Sequence, residues 1–343
     1  MNKFYQVVQI PGKDLGCVAL KDIKKGTLIL QEKPQCFANA SGPSELDVKS
    51  LLFSFDQMSS SDQEEFLKLH NRFENLDELA LNDKQRQLIE STAKSNNELE
   101  QIFKIYGIYR TNGFETGVGI QFARFNHSCC SNAEAMWNEE DETSEIRSVS
   151  KIKTGEEITL SYNWKQLSMK DLKTRQNSLL FNWGFKCCCD ICKEEEVKPD
   201  DGKYQLFEKL LQEVKKCMQN QQHKSRNAHL ENIKKEVICH KEMYKLAKDK
   251  RAPRTFIVNE ILDDGFNASV QGYLSAESTY NSQFMEEFKK ECDIFSTAGE
   301  QLSKVLPTKT YKEWEDRKHN FENWIKQVKE VLKEQQMQYS SLK

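Results

Sequence analysis

The sequence has no run of about 18 apolar residues, the length a membrane-spanning helix requires. Nor has it an excess of one charge: 50 basic side chains stand against 53 acidic ones, a formal net charge of −3. Such a balance supplies no global field to draw the protein onto nucleic acid or anionic lipid, and neither partner is expected. The opening MNKFYQVVQIPGKD lacks the apolar stretch of a secretory signal, so we expect the cytoplasm, the nucleus or both. No repeat period is evident. What is present is a chain of 343 residues, enough for two or three domain-sized units with their own cores. Its mean hydropathy of −0.74 is that of a soluble protein, and 10% aromatic content argues against wholesale disorder.

Eleven cysteines are present, and their placement matters more than their number. Cys17, Cys36, Cys217, Cys239 and Cys292 are scattered and read as small buried hydrophobes. The rest form two clusters, Cys129-Cys130 and Cys187-Cys188-Cys189-Cys192. Secreted disulfide scaffolds spread their cysteines through shorter chains, whereas tight clusters read as a metal site in a reducing compartment. Cys187-x-Cys189-x-x-Cys192 can wrap one side of a tetrahedral ion, which zinc favours. A fourth ligand must come from elsewhere, and Cys129 or Cys130 is the obvious supplier. Four thiolates leave no open position, so such a site is structural. The competing reading is a redox cluster or buried thiols.

In RFNHSCCSN (124–132), His127 and Cys129 stand two residues apart. On a strand they share one face, side by side and too distant for a nucleophile–base hydrogen bond. A metal ligand is the better role for Cys129. GEEITLSYNW (155–164) alternates Ile158, Leu160 and Tyr162 as a strand does. KFYQVVQI (3–10) and GTLILQ (26–31) also read as strands, and residues 44–106 carry apolar positions at helical spacing. Asp171 to Trp183 reads as a helix, KEEEVKPDDGK (193–203) as a linker, and the chain beyond 204 as helical. Its apolar stripes run through Leu206, Phe207, Leu210, Leu211, Val214 and Met218, then Trp314, Phe321, Trp324, Ile325, Val328, Val331 and Leu332, with breaks at Pro253 and Pro307. KDKRAPR (248–254) reads as a solvated loop in preference to a nuclear localisation signal.

Taken in order, NHSC, then GEEITLSY, then GFKCCCDIC resemble the motifs of a SET-domain protein lysine methyltransferase. GKDLGCVALKDIKKGTLILQEKP (12–34) resembles the opening of that domain, and Asn112-Gly113-Phe114 and the helical tail resemble the SET and MYND domain branch. Four features depart from the pattern. Residues 38–106 contain no cysteine for a MYND zinc finger, Asp14 replaces a usual glycine, Ser131 replaces a usual proline, and the 112–126 segment is short. The resemblance implies an α+β fold: small β-sheets with a pseudoknot, a helical insertion, a cysteine-rich post-SET zinc segment and an all-helical C-terminal domain. It places the first part of the SET domain at 1–37, the insertion at 38–106, the SET core at 107–164, the post-SET helix and zinc segment at 165–196, and the helical domain at 197–343.

The resemblance further implies methyl transfer from S-adenosylmethionine to a lysine ε-amine of a protein, histone or non-histone. It makes Tyr162 the catalytic residue and Lys13, Asn112, Asn126, His127 and Phe185 the cofactor contacts. Phe114, Tyr162 and Phe185 would line the lysine channel. The family spacing assigns structural zinc to Cys129, Cys187, Cys189 and Cys192, leaving Cys130 and Cys188 spare. The alternative is a SET fold without turnover that serves as a protein-binding module. Nothing in the sequence requires more than a monomer.

Overall fold

The computed structural model of the chain describes residues 4–36, 48–79, 81, 83–114, 117–199, 202–219, 225–277, 282–304, 306 and 308–341. Its contacts divide into two units, Met1–Asn163 with Lys170–Lys198, and Trp164–Met169 with Pro199–Lys343. The expected junction at 37–38 and the break at Pro307 lie outside the described residues, as do the side chains of Val328, Val331 and Leu332.

The first unit opens with two antiparallel strands, β1 (Tyr5–Ile10) and β2 (Asp14–Ala19), in register from Tyr5 opposite Ala19 to Ile10 opposite Asp14. The connecting turn has Gly12 at φ 76° and Asp14 at φ 62°. Asp14 thus occupies the left-handed region that favours glycine, which aspartate tolerates better than most residues. Three further strands, β3 (Leu28–Glu32), β4 (Ala133–Asn138) and β5 (Thr143–Ser148), form an antiparallel sheet in the order β3-β5-β4. Cys17, Ile23, Ile29, Phe125, Ile146, Ile152, Ile158 and Leu160 make the core beneath these strands.

Between β3 and β4 the described residues include four α-helices, α1 (Val48–Asp56), α2 (Ser60–Phe66), α3 (Asp83–Thr92) and α4 (Asn96–Asn112). They bury Leu51, Phe55, Phe66, Ile89, Ile102 and Tyr106 in a core of their own. Ser59 and Ser95 cap α2 and α4 by accepting the Asp62 and Glu98 amides, each at 3.2 Å.

The segment 156–162 passes between β2 and residues 126–133. On one side Ala19 N–H donates to Glu156 O (2.9 Å) and Ile158 N–H to Cys17 O (2.8 Å). On the other, Leu160 N–H donates to Asn126 O and Ser128 N–H to Leu160 O, both at 2.9 Å, so His127 pairs with Leu160 in parallel. This threading is the expected pseudoknot. It requires a close approach at Gly16, where a Cβ would lie 2.5 Å from Asn126 Nδ2 and 2.7 Å from Ile10 Cγ1.

After α5 (Trp164–Leu167) come α6 (Leu172–Trp183) and α7 (Asp190–Val197). Asp171 caps α6 by accepting the Thr174 amide at 2.8 Å. The linker reading of 193–203 is corrected in its first half, since α7 continues through Val197: Glu194 to Glu196 are good helix formers and follow a started turn. The second unit continues with α8 (Lys203–Gln219), α9 (Arg226–Asp249), α10 (Arg254–Ile257), α11 (Asp263–Glu277), α12 (Ser282–Ser303) and α13 (Thr308–Ser341). Phe207 and Val214 of the first expected stripe are buried, but Leu206 and Met218 are exposed, and Tyr204 and Cys217 complete the buried face in their place.

Gly16→Ala is expected to cost about 1–3 kcal/mol, because the added methyl meets a held side chain and β1 in place of open space. Thermal or urea unfolding measures this, and an unchanged midpoint would contradict the close approach.

Candidate functional site

The thread determines which side chains converge. Asn126, at its crossing with β2, donates Nδ2 to Leu15 O (3.0 Å) and to Glu157 Oε1 (2.9 Å). The other Glu157 oxygen holds Lys13 Nζ at 2.6 Å. Asn132 grips the thread from the far side: Oδ1 accepts the Thr159 amide and Nδ2 donates to Glu157 O, both at 2.9 Å. Asparagine suits both places because one short side chain offers an acceptor and two donors.

Beyond Leu160 the thread delivers Tyr162 against Phe125, whose carbonyl accepts the phenol O–H at 2.6 Å. Burial pushes the phenol above its ordinary pKa, with Cys17 and Glu157 adding to the effect. The His127, Trp183 and Phe185 rings surround Tyr162 at centroid distances of 5.2, 5.3 and 6.4 Å. Trp183 and Phe185 come from the end of α6, where Gly184 at φ 78° closes the helix and reverses the chain. Trp183 is fixed by its indole N–H on Thr111 O at 3.1 Å.

Next to this cluster lie four sulfurs. The Sγ atoms of Cys129, Cys187, Cys189 and Cys192 lie within 4.8 Å of one another, with Cys129 and Cys192 at 3.6 Å. Four sulfurs at ~2.3 Å around one zinc would stand about 3.8 Å apart, so this donor set fits a tetrahedral zinc. Hydrogen bonding from Cys129 lowers Cys187 and Cys189 below the ordinary thiol range and raises Cys129 in turn. The cluster is held from outside. Gln176 of α6 clamps the Cys187 main chain, accepting its amide at 2.7 Å and donating to its carbonyl at 2.6 Å. Buried Arg175 reaches Glu195 Oε2 at 2.8 Å and Cys192 Sγ at 3.7 Å.

A SET domain model matches residues 14–163. A SET domain-containing protein of Acanthamoeba polyphaga mimivirus is 30% identical over 222 residues, 59% of this chain and 81% of that protein. The chain belongs to the SET-domain family. The histone-lysine N-methyltransferase set5 of Schizosaccharomyces pombe is 29% identical over 202 residues, and the SET chain spans only 53% of its length. A solved structure of Rubisco LSMT bound to AdoMet aligns with 91% of this chain and 87% of its own at 15% identity; its TM-score of 0.36 is too low to carry weight.

Within this SET domain the residues named from sequence occupy different settings. His127, Tyr162, Phe185 and the four cysteines come together. Asn126 and Lys13 sit on Glu157 at the edge of the same thread. Asn112 stands apart, its amide donating to His70 O and Ile108 O, both at 2.8 Å, at the end of α4. Phe114 is 45% exposed and packs edge-on against Phe122 at 4.9 Å, outside the ring cluster. Asp14 is exposed, and its carboxylate accepts Gln9 Nε2 at 3.2 Å.

One sequence expectation is corrected outright. His127 Nε2 and Cys129 Sγ are 3.4 Å apart, within hydrogen-bond reach. The extended geometry assumed for this segment ends at a turn over residues 129–130, which brings the sulfur onto the imidazole. Sequence reasoning also missed Trp183, Arg175 and Gln176. The Trp-Gly-Phe run before the cysteines was a usable signal for Trp183: a glycine closing a helix turns the rings on either side toward one place. No local signal marked Arg175 or Gln176.

Arg175→Met is expected to cost about 3–5 kcal/mol in unfolding of the 170–198 segment, because buried Glu195 loses the Arg175 guanidinium 2.8 Å from its carboxylate. Adding Glu195→Leu is expected to restore most of that loss. Denaturant titration monitored by zinc release checks both, and a single variant as stable as wild type would contradict the buried pair.

Proposed function

We propose that this SET protein is a protein-lysine N-methyltransferase that uses S-adenosylmethionine and carries one structural zinc on Cys129, Cys187, Cys189 and Cys192. The observation that carries the reading is the setting of Tyr162: a phenol anchored by its proton, ringed by aromatic side chains, beside an open stretch of main chain. That open stretch is His127. Its parallel pairing with Leu160 uses the Asn126 carbonyl and the Ser128 amide, so the N–H and C=O of His127 point the other way. Neither has a backbone partner among the described residues. A donor and an acceptor side by side, on the residue whose imidazole centroid lies 5.9 Å from that of the half-exposed Phe185 ring, suit the edge and face of a purine. Lys13 has ammonium donors beyond the one spent on Glu157, and these suit a carboxylate. Asn126 supports this binding edge from behind.

Bound there, S-adenosylmethionine supplies a methyl group already activated on a sulfonium, so no covalent enzyme intermediate is needed. The side chains have two tasks. They align a lysine amine with that methyl, which can be worth ~7–11 kcal/mol. They also receive the amine neutral, although a free lysine has a pKa near ~10.4. Tyr162 is suited to alignment and not to proton removal. Its own proton is committed to Phe125 O, which leaves its oxygen lone pairs to accept from the amine. Its raised pKa keeps it a phenol at neutral pH. The rings around it exclude water and present π faces to the incoming side chain.

The partner is a protein with a target lysine, a histone among the candidates, met in the nucleus or the cytoplasm. The binding-module alternative drew on Asp14 and on the short 112–126 segment; Asp14 directs its charge to Gln9 in an exposed turn. Radiolabelled methyl transfer to mixed histones and cell lysate, with zinc assayed on the same protein, tests the reading. Tyr162→Phe is expected to lower transfer by roughly a hundredfold, the scale of a misaligned reacting pair. The pH profile carries a second expectation. A phenol pKa raised above its ordinary value leaves Tyr162 protonated from pH 7 to 10, so the rate rises with substrate-lysine deprotonation and shows no falling limb from Tyr162. Zinc-loaded protein that transfers nothing to either substrate pool would contradict the enzyme reading.

A further inference from the structure

We propose that His127 is a positioning residue that couples the four-cysteine centre to the strand carrying Tyr162, so that metal loading sets how firmly Tyr162 is held. The proposal rests on the zinc-bearing methyltransferase reading and adds the route by which the metal reaches the reaction centre.

Its basis is a fixed tautomer. His127 is 4% exposed, so both ring nitrogens must find protein partners. Nδ1 lies 2.9 Å from the backbone nitrogen of Tyr162. A backbone amide can only donate, so Nδ1 is the acceptor and the ring proton sits on Nε2. Nε2 in turn lies 3.4 Å from Cys129 Sγ. An N–H aimed at sulfur is strongest when the sulfur is a thiolate, the form a metal ligand takes. Metal loading therefore tightens the bond on one side of the ring, while the other side of the same ring holds the Tyr162 main chain. The phenol has its own anchor on Phe125 O, so the backbone hold through His127 is the one that senses the metal. Partners that orient a ligand in this way commonly alter metal affinity when removed.

Two variants separate the two bonds. His127→Asn places a carbonyl near the position of Nδ1 and falls short of Cys129. His127→Gln reaches Cys129 with its amide donor and leaves the Tyr162 N–H unheld. The experiment uses the full chain, loaded with zinc or with cobalt. With six histidines in the chain, the imidazole nitrogen spectrum can be assigned by comparison with the variants. In the zinc-loaded wild type we expect Nε2 protonated and Nδ1 bare, with Tyr162 amide exchange speeding up when zinc is removed. His127→Asn is expected to weaken metal binding by roughly ten- to a hundredfold in competition with a chelating dye. It should also move the sulfur-to-cobalt charge-transfer band to longer wavelength, because the thiolate loses a donor. His127→Gln is expected to keep the band and the affinity near wild type while the Tyr162 amide exchanges faster. A proton on Nδ1, or equal metal loss in both variants, overturns the proposal. A chain that yields no four-sulfur cobalt spectrum overturns the zinc reading along with it. Correct tautomer and band shifts without methyl transfer leave the coupling standing and remove only the activity.

Discussion

The site depends on one threaded segment. Residues 156–162 have β2 on one side and residues 126–133 on the other, and each side is fastened by backbone hydrogen bonds. A segment gripped on both sides has little freedom to slide. A shift of one residue would also turn Ile158 and Leu160 out of the apolar core. This constraint places Tyr162 on Phe125, makes Glu157 available to Asn126 and Lys13, and turns the His127 main chain outward. It also explains why Gly16 and two asparagines are needed: glycine admits the crossing, and Asn126 and Asn132 satisfy polar groups that the crossing buries.

The cysteine segment is a second fastening laid over the first. It has few apolar side chains of its own, and Cys187, Ile191 and Cys192 are its buried members. Its order depends on contacts made by α6 through Arg175 and Gln176 and, with a metal, on the bonds to Cys129. Metal binding to such a segment is folding energy for it. Phe185 lies two residues before Cys187 and packs near both His127 and Tyr162, so ordering of this segment also places the third ring of the cluster.

Much of this was legible in the residues. Alternation marked 158–162 as extended chain, the clustered cysteines pointed to a metal site, and the family resemblance chose Cys129 over Cys130 as the partner of the distal three. Asp171 and Gly184 marked both ends of α6. The less legible parts share a cause: they depend on where the chain turns or on what a polar side chain meets in space. A turn at 129–130 brings Cys129 onto His127, and no periodicity announces it. An arginine within a helix is most often solvated, so Arg175 gave no hint of the buried Glu195 beside it. Asn112 and Phe114 belong to a recognisable motif, yet the structure gives them a helix end and an edge contact with Phe122. Leu206 and Met218 fit a helical stripe in outline, but the buried face of α8 is rotated toward Tyr204 and Cys217.

The proposed cofactor edge and the four-sulfur centre share one thread. Calorimetric titration of S-adenosylmethionine into the full chain, zinc-loaded and then stripped by a chelator, tests this most directly. We expect one site per zinc-loaded chain and an affinity at least about tenfold weaker after stripping, as when supporting partners of a site are lost. Binding of equal strength with and without zinc would contradict the union of the two, and no binding to the zinc-loaded chain would contradict the cofactor edge itself.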